Sequence, residues 1–170
     1  TSNFVNELSH SCVSIAYVEY GEVLAGVVYN PYLKEMFSAE AGKGAWLNGT
    51  PIHVSDKELS EGLVLFGTSP YNRQLADMTF DYVRKLYDVS LDVRRSGSAA
   101  LDLCSIAAGR AEAYFEMILS PWDFAAGALI VTEAGGVVTT LERREICYDK
   151  KCSMLAAGKR AYAQVPEISY

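Results

Sequence analysis

The residues best placed to do chemistry form one run: Ser120-Pro121-Trp122-Asp123-Phe124-Ala125-Ala126-Gly127, which continues to Glu133-Ala134-Gly135-Gly136. Its spacing predicts a helix over 121–134 that opens on Ser120 and holds Asp123 in the first turn. There the helix dipole favours an ionised carboxylate, which can cap backbone N–H groups or offer a hard oxygen to a cation. Capping alone accounts for the pattern: Ser120 as N-cap, Pro121 at the first helical position, Gly135 as the left-handed stop. Zinc chemistry has less support. Cys12, Cys104, Cys147 and Cys152 form no CxxC pair, and His10 and His53 are the only histidines. Four scattered thiols in an acidic chain fit a reducing cytosol, so a cytoplasmic location is expected.

The chain that must position Asp123 has 170 residues, half of them hydrophobic and 21% charged, with a net charge of −6. That is globular composition, enough for one compact domain or two lobes sharing a core. The acidic balance argues against a nucleic-acid partner, and no apolar window is long enough to span a membrane. Segments 12–20 and 22–29 read as strands around a Tyr20-Gly21 turn. A third strand is expected at 34–39, after Asn30-Pro31, in an antiparallel meander that ends near Ser55. Tyr17, Tyr20, Tyr29 and Tyr32 are expected to pack within that sheet, and His53 to lie at its surface edge.

From Leu63 the rhythm changes. A buried strand at 63–66 precedes an amphipathic helix over 72–87, carried by Leu75, Met78, Tyr82, Val83 and Leu86. Alternation at Val89, Leu91 and Val93 predicts a strand, and Ser98 and Gly109 bound a helix over 99–108. Strands are expected at 113–118, 136–140 and 154–157. Alternating strands and helices of this length imply crossover units, and the boundary near residue 58 divides the chain into 1–58 and 59–170. The runs Glu142–Glu145 and Tyr148–Lys151 read as solvated turns, and Glu133 as a capping or pairing residue.

The order and content of four segments resemble the inositol monophosphatase family. They are Thr1-Ser2-Asn3-Phe4, Gly42 to Gly49, Arg95-Ser96-Gly97-Ser98-Ala99-Ala100-Leu101-Asp102 on to Glu116, and the Trp122-Asp123-x-Ala125-Ala126-Gly127 run. The resemblance implies an α+β layered sandwich, of the kind shared with fructose-1,6-bisphosphatase. It also places the family's Asp-Pro-x-Asp-Gly segment and an earlier metal-binding Glu before Thr1, so this sequence is expected to hold the C-terminal portion of the fold, without its N-terminal helices. In the family those helices cover a sheet face, whose apolar positions here are expected to include Val13, Ile15, Tyr17, Val23 and Val27.

By the same resemblance the chemistry is Mg²⁺-dependent, lithium-sensitive hydrolysis of a small polyol or sugar phosphate such as inositol monophosphate, by a homodimer. Asp123 matches a metal carboxylate that also touches a substrate hydroxyl. Thr1 matches the catalytic residue that orients the attacking water. Gly97, Ser98 and Ala99 match backbone lining the substrate pocket, and Glu116 matches a carboxylate that binds substrate hydroxyls. Taken alone, Glu116 would be a solvated strand residue and Gly97 to Ala99 a helix start. The alternatives are fructose-1,6-bisphosphatase activity, 3′-phosphoadenosine-5′-phosphate phosphatase activity, or a non-catalytic truncated remnant.

Overall fold

The computed structural model describes residues 2–168. A single helical turn, α1 (Ser2–Val5), leads into a five-stranded antiparallel sheet: β1 (Val13–Glu19), β2 (Glu22–Asn30), β3 (Glu35–Glu40), β4 (Ala45–Leu47) and β5 (Thr50–Pro51), in that spatial order. Asn48 and Gly49 both take positive φ, 49° and 79°, which matches the twist of a two-residue hairpin between β4 and β5. The meander expected from turn residues is therefore present. The expected strand edge at His53 is not: β5 ends at Pro51, and His53 is an exposed loop residue.

The second sheet has the order β7-β6-β8-β10-β9. Its members are β6 (Leu63–Phe66), β7 (Asp92–Arg94), β8 (Ala113–Leu119), β9 (Val137–Thr139) and β10 (Cys152–Ala157). β6 pairs parallel with both β7 and β8, whereas β10 runs antiparallel to β8 and β9. The helices α2 (Ala76–Tyr87) and α5 (Lys159–Gln164) pack on one face with Phe115 and Leu155; α3 (Ala99–Ala107) and α4 (Pro121–Glu133) pack on the other. Since α4 also lies on β1, β2 and β3, the order of layers is sheet, helix pair, sheet, helix pair. This is the α+β layered arrangement expected. Among the described residues no helix is long and apolar enough to cross a membrane.

Several local readings shift. The helix foreseen from 72 begins at Ala76, after a 3₁₀ turn over Arg73–Leu75. The strand foreseen at 89–93 lies at 92–94, because Asp88 and Val89 continue the helix end through N–H bonds to Arg84 and Leu86 carbonyls. Alternation in sequence was there a turn with two exposed apolar side chains. α5 had no amphipathic signature; Arg143 holds it by donating to the Tyr162 and Val165 carbonyls while its guanidinium stacks 4.1 Å above the Tyr162 ring. The turn at 142–145 is solvated as expected at Glu142, Arg144 and Glu145, and Arg143 within it is the clamp. Glu133 accepts N–H bonds from Gly42 and Gly44 at 2.8 and 2.7 Å, which ties the end of α4 to the β3–β4 turn.

α4 is buried from Phe124 to Val131, so it reads as hydrophobic on every side. Two glycines allow that burial. A Cβ on Gly26 would lie 2.9 Å from Ala126 Cα, and one on Gly127 would lie 2.7 Å from Leu103 Cβ. Gly26→Ala is therefore expected to lower stability by about 1–3 kcal/mol, measured by urea unfolding, because the obstacle is backbone and cannot rotate away. An unchanged midpoint would show that α4 does not rest this closely on β2.

The outer face of the first sheet is apolar and open. Val13, Ile15 and Tyr17 point outward, Ile15 at 64% exposure, beside their cross-strand partners Tyr29, Val27 and Ala25. The expected packing of the tyrosines is corrected: Tyr17 and Tyr29 are exposed on this side, and Tyr20 and Tyr32 are exposed in the turns. Val23 is corrected too. The pairing shifts between Tyr17 and Val18, which turns Val23 into the core at 6% exposure. Such a face beside the edge strand β1 favours association. The chain is expected to scatter light as more than one copy and to bind hydrophobic dye, and Ile15→Glu with Tyr17→Lys to reverse both. A monomeric, dye-negative chain would contradict this.

Candidate active site

The three parallel strands of the second sheet end at one place. β6 delivers Gly67–Asn72, β7 delivers Arg95–Ala99 and β8 delivers Ser120–Asp123 into a cleft of about 260 Å³. α2 leaves β6 toward one face and α3 leaves β7 toward the other, so the connections part beside β6. A crevice beyond the carboxyl ends of strands, at such a parting, is where α/β sheets take ligands. Its walls are mostly polar, with Asn3, Thr68, Ser69, Arg95, Asp102 and Lys151 among them.

Asp123 enters at the start of α4. Its Oδ2 accepts the Ser120 N–H at 3.2 Å, completing a reciprocal capping box. Among the described residues Oδ1 has no hydrogen-bond partner. Capping and an available oxygen thus coexist in one carboxylate. Trp122, its neighbour, is 74% exposed.

Glu116 lies deeper, on the central strand β8, and is buried; the reading of it as a solvated strand residue is corrected. Its Oε1 accepts the Ser69 N–H at 2.8 Å and lies 3.2 Å from the Ser69 hydroxyl, which also reaches the Ile118 carbonyl at 3.1 Å with its single proton. Its Oε2 accepts the Tyr114 hydroxyl at 2.8 Å. Burial raises the Glu116 carboxyl above the ordinary glutamate range; the bonds from Tyr114 and Ser69 oppose this, and the Asp123 charge adds to it. Gly67 makes room for it, since a Cβ there would fall 1.9 Å from Oε2.

Gly97, Ser98 and Ala99 line the same cleft at the opening of α3. Two side chains hold them. Asn3 Nδ2 donates to the Ser96 carbonyl at 3.1 Å and to the His10 carbonyl at 2.8 Å, pinning α1 to this loop. The Ser96 hydroxyl accepts the Ser98 N–H at 3.2 Å and hydrogen-bonds Asp102 from α3. Five of the expected site residues therefore meet in one cleft: Gly97, Ser98, Ala99, Glu116 and Asp123. Thr1 lies outside the described residues. The turn at 148–151 is solvated as expected at Asp149, Lys150 and Lys151, but it also meets the site: Lys151 lines the cleft and the half-buried Tyr148 ring packs on Phe124, 5.9 Å between centroids.

Asp102, Asn3 and Ser69 were not singled out from sequence. A first-turn Asp is ordinary in a helix, and a buried Ser at φ 44° in a loop leaves no pattern. A Mg²⁺ site needs several oxygens in near-octahedral array. Among the described residues no three His, Cys, Asp or Glu side chains converge to hold a metal, and both Glu116 oxygens are engaged by protein donors. The described residues alone do not complete a site for that ion, and Asp123 is a carboxylate among them with an oxygen to offer it.

Asp102 is 2% exposed, and burial pushes its carboxyl from 3.8 up to about 7; the Ser96 bond and the Arg95 charge oppose the rise and the Glu116 charge supports it. Between those pH values the unfolded chain has released this proton while the folded chain retains it. Folding then takes up a proton, so stability is lost as pH rises from about 4 to about 7, by up to roughly 4 kcal/mol. Asp102→Asn is expected to flatten the slope of unfolding free energy over that range, leaving the smaller part due to Glu116. An identical slope in the variant would contradict the burial of this carboxyl.

Known proteins share this fold and much of this sequence. The model of the inositol monophosphatase family matches residues 1–168. The Nus factor SuhB of Escherichia coli (strain K12) is 45% identical over 140 residues, 82% of this chain and 52% of the relative. That of Haemophilus influenzae is 39% identical over 166 residues, 97% of this chain and 62% of the relative. The chain spans about half the length of the E. coli relative. Among solved structures, the inositol monophosphatase of Anabaena (Nostoc) sp. PCC 7120 superposes with a TM-score of 0.89 at 36% identity, covering 99% of this chain and 71% of that one. The extragenic suppressor protein suhB of Bartonella henselae gives 0.91 at 34% identity, covering 97% and 63%. With its layered fold, its strand-end cleft and a family match along nearly its whole length, the chain belongs to the inositol monophosphatase family.

Proposed function

We propose that the chain supplies part of a phosphomonoesterase site acting on a small phosphorylated polyol or sugar such as inositol monophosphate, with Mg²⁺ as the metal of the whole protein. The observation that carries this reading is the meeting of Glu116, Asp123 and the Gly97–Ala99 backbone in one polar cleft. Glu116 Oε2 takes one protein hydrogen bond and retains an acceptor position for a hydroxyl group. The opening of α3 presents backbone N–H groups to the same ligand, fixed by Asn3 and Ser96. Asp123 accepts from a further hydroxyl or contributes one oxygen to the metal, and Thr1 orients the attacking water. Bound metal ions in such enzymes clamp the phosphate and lower the pKa of a water. Fructose-1,6-bisphosphate and 3′-phosphoadenosine-5′-phosphate are the rival substrates within this chemistry.

A second reading is a non-catalytic one, in which the fold serves to bind a partner. Two observations favour it: no group of three metal-holding side chains among the described residues, and relatives that are named Nus factors. The two readings separate in solution. With no group of three metal-holding side chains among its described residues, the 170-residue chain itself is expected to give no binding heat with millimolar Mg²⁺ and no phosphate release from inositol monophosphate. Robust Mg²⁺-dependent turnover by this chain would show that the ligands are misplaced.

The catalytic reading is tested in a chimaera that adds the portion of the Anabaena inositol monophosphatase not covered by this chain. It is expected to release phosphate from inositol monophosphate, and Asp123→Asn to reduce kcat by about a hundredfold or more with little change in Tm, because Asn retains the cap and loses the charged ligand. A folded chimaera that binds Mg²⁺ yet turns over none of the three substrates would favour the partner-binding reading.

A further inference from the structure

Cys147 and Cys152 are half-buried free thiols on either side of a short loop, residues 148–151. They lie close together: the Cys147 backbone N–H donates to Cys152 Sγ. The Cys147 thiol donates to Asp149 Oδ1 at 2.6 Å, within the same loop. Cys152 opens β10 and pairs opposite Leu119, the residue before the N-cap of α4. The loop between the sulfurs meets the cleft twice. Lys151 lines it together with Glu116 and Asp123, and the Tyr148 ring packs on Phe124, the residue after Asp123.

We propose that Cys147 and Cys152 form a reversible disulfide, made by exchange with a low-molecular-weight disulfide such as oxidised glutathione, that stiffens the loop carrying Tyr148 and Lys151 against the cleft. Cys147 thiolate attacks one glutathione sulfur and expels one glutathione thiolate. Cys152 releases its proton to solvent and attacks Cys147 Sγ, expelling the second. Two protein thiols are oxidised and one oxidised glutathione becomes two reduced molecules. Burial raises the Cys152 thiol, against the pull of the Cys147 N–H, which suits it to the second, intramolecular step. The remaining thiols are poor competitors. Cys104 is fully buried, and Cys12 packs beside the Ser98 hydroxyl at 3.7 Å. Only the consequence for ligands rests on the proposed function; the thiol chemistry does not.

The 170-residue chain is incubated in glutathione redox buffers, quenched in acid, alkylated and mapped by mass spectrometry, with native trypsin cleavage after Lys150 and Lys151 as the readout of the loop. The expected product has Cys147 linked to Cys152, has lost two hydrogens, carries no glutathione, and returns to the dithiol with dithiothreitol. Cleavage of the oxidised loop is expected to slow by at least about tenfold, since a short crosslink suppresses local opening. Cys12→Ser with Cys104→Ser should behave as the parent chain, and Cys147→Ser or Cys147→Ala should lose both effects. Stable glutathione adducts at these positions, linkage through Cys12, linkage formed only in urea, or unchanged cleavage after linkage would each overturn the proposal.

Discussion

The close seat of α4 between the two sheets is the constraint on which the other features depend. An all-apolar helix cannot choose a face by amphipathicity, so its position is set by how near its neighbours can come. Gly26 and Gly127 set that distance, one from β2 toward Ala126 and the other from α4 toward Leu103 of α3. Once the helix axis is fixed, its first turn is fixed at the end of β8, and with it Asp123. Glu133 at the other end secures the β3–β4 turn through two backbone N–H groups. The carboxylate in the cleft is thus placed by packing along the whole helix and not by contacts of its own.

The cleft itself is electrostatically expensive. Asp102 and Glu116 are both buried, both raised by desolvation, and each feels the other or Asp123. Glu116 is compensated by Ser69 and Tyr114, whereas Asp102 has Ser96 and the Arg95 charge. A fold seeking only stability would fill such a site with apolar side chains. Local rules are broken in the same place: Ser69 is a buried non-glycine at positive φ, and Gly67 is stripped of a side chain so that Glu116 fits. Departures of this kind gather where a protein binds something.

Much of the fold was legible because it rests on local patterns. The antiparallel meander follows turn residues such as Asn48-Gly49, and α3 and α4 follow Ser98, Ser120, Gly109 and Gly135 at their ends. What was not legible depends on distant partners. α5 has no apolar stripe because Arg143 and Tyr162 hold it, and the inward turn of Val23 needs an irregular strand pairing. In the site, Asp123 announces itself through its capping signature. Glu116 looks ordinary until β8 is known to be central and buried, and Ser69 and Asn3 act across more than forty residues of sequence.

The same distinction explains how one segment can serve stability and chemistry together. Ser120 and Asp123 satisfy each other at the head of α4, which would complete their structural task in any helix. Because β8 ends there among two other parallel strands, the capping carboxylate also faces a cleft, with one oxygen used by the cap and the other directed to no protein donor among the described residues. A capping Ser or Asn in its place would satisfy the backbone equally and leave the cleft without that charge. The choice of Asp at 123 is therefore underdetermined by folding, and the proposed function gives it a reason: a charged oxygen facing the ligand of the cleft.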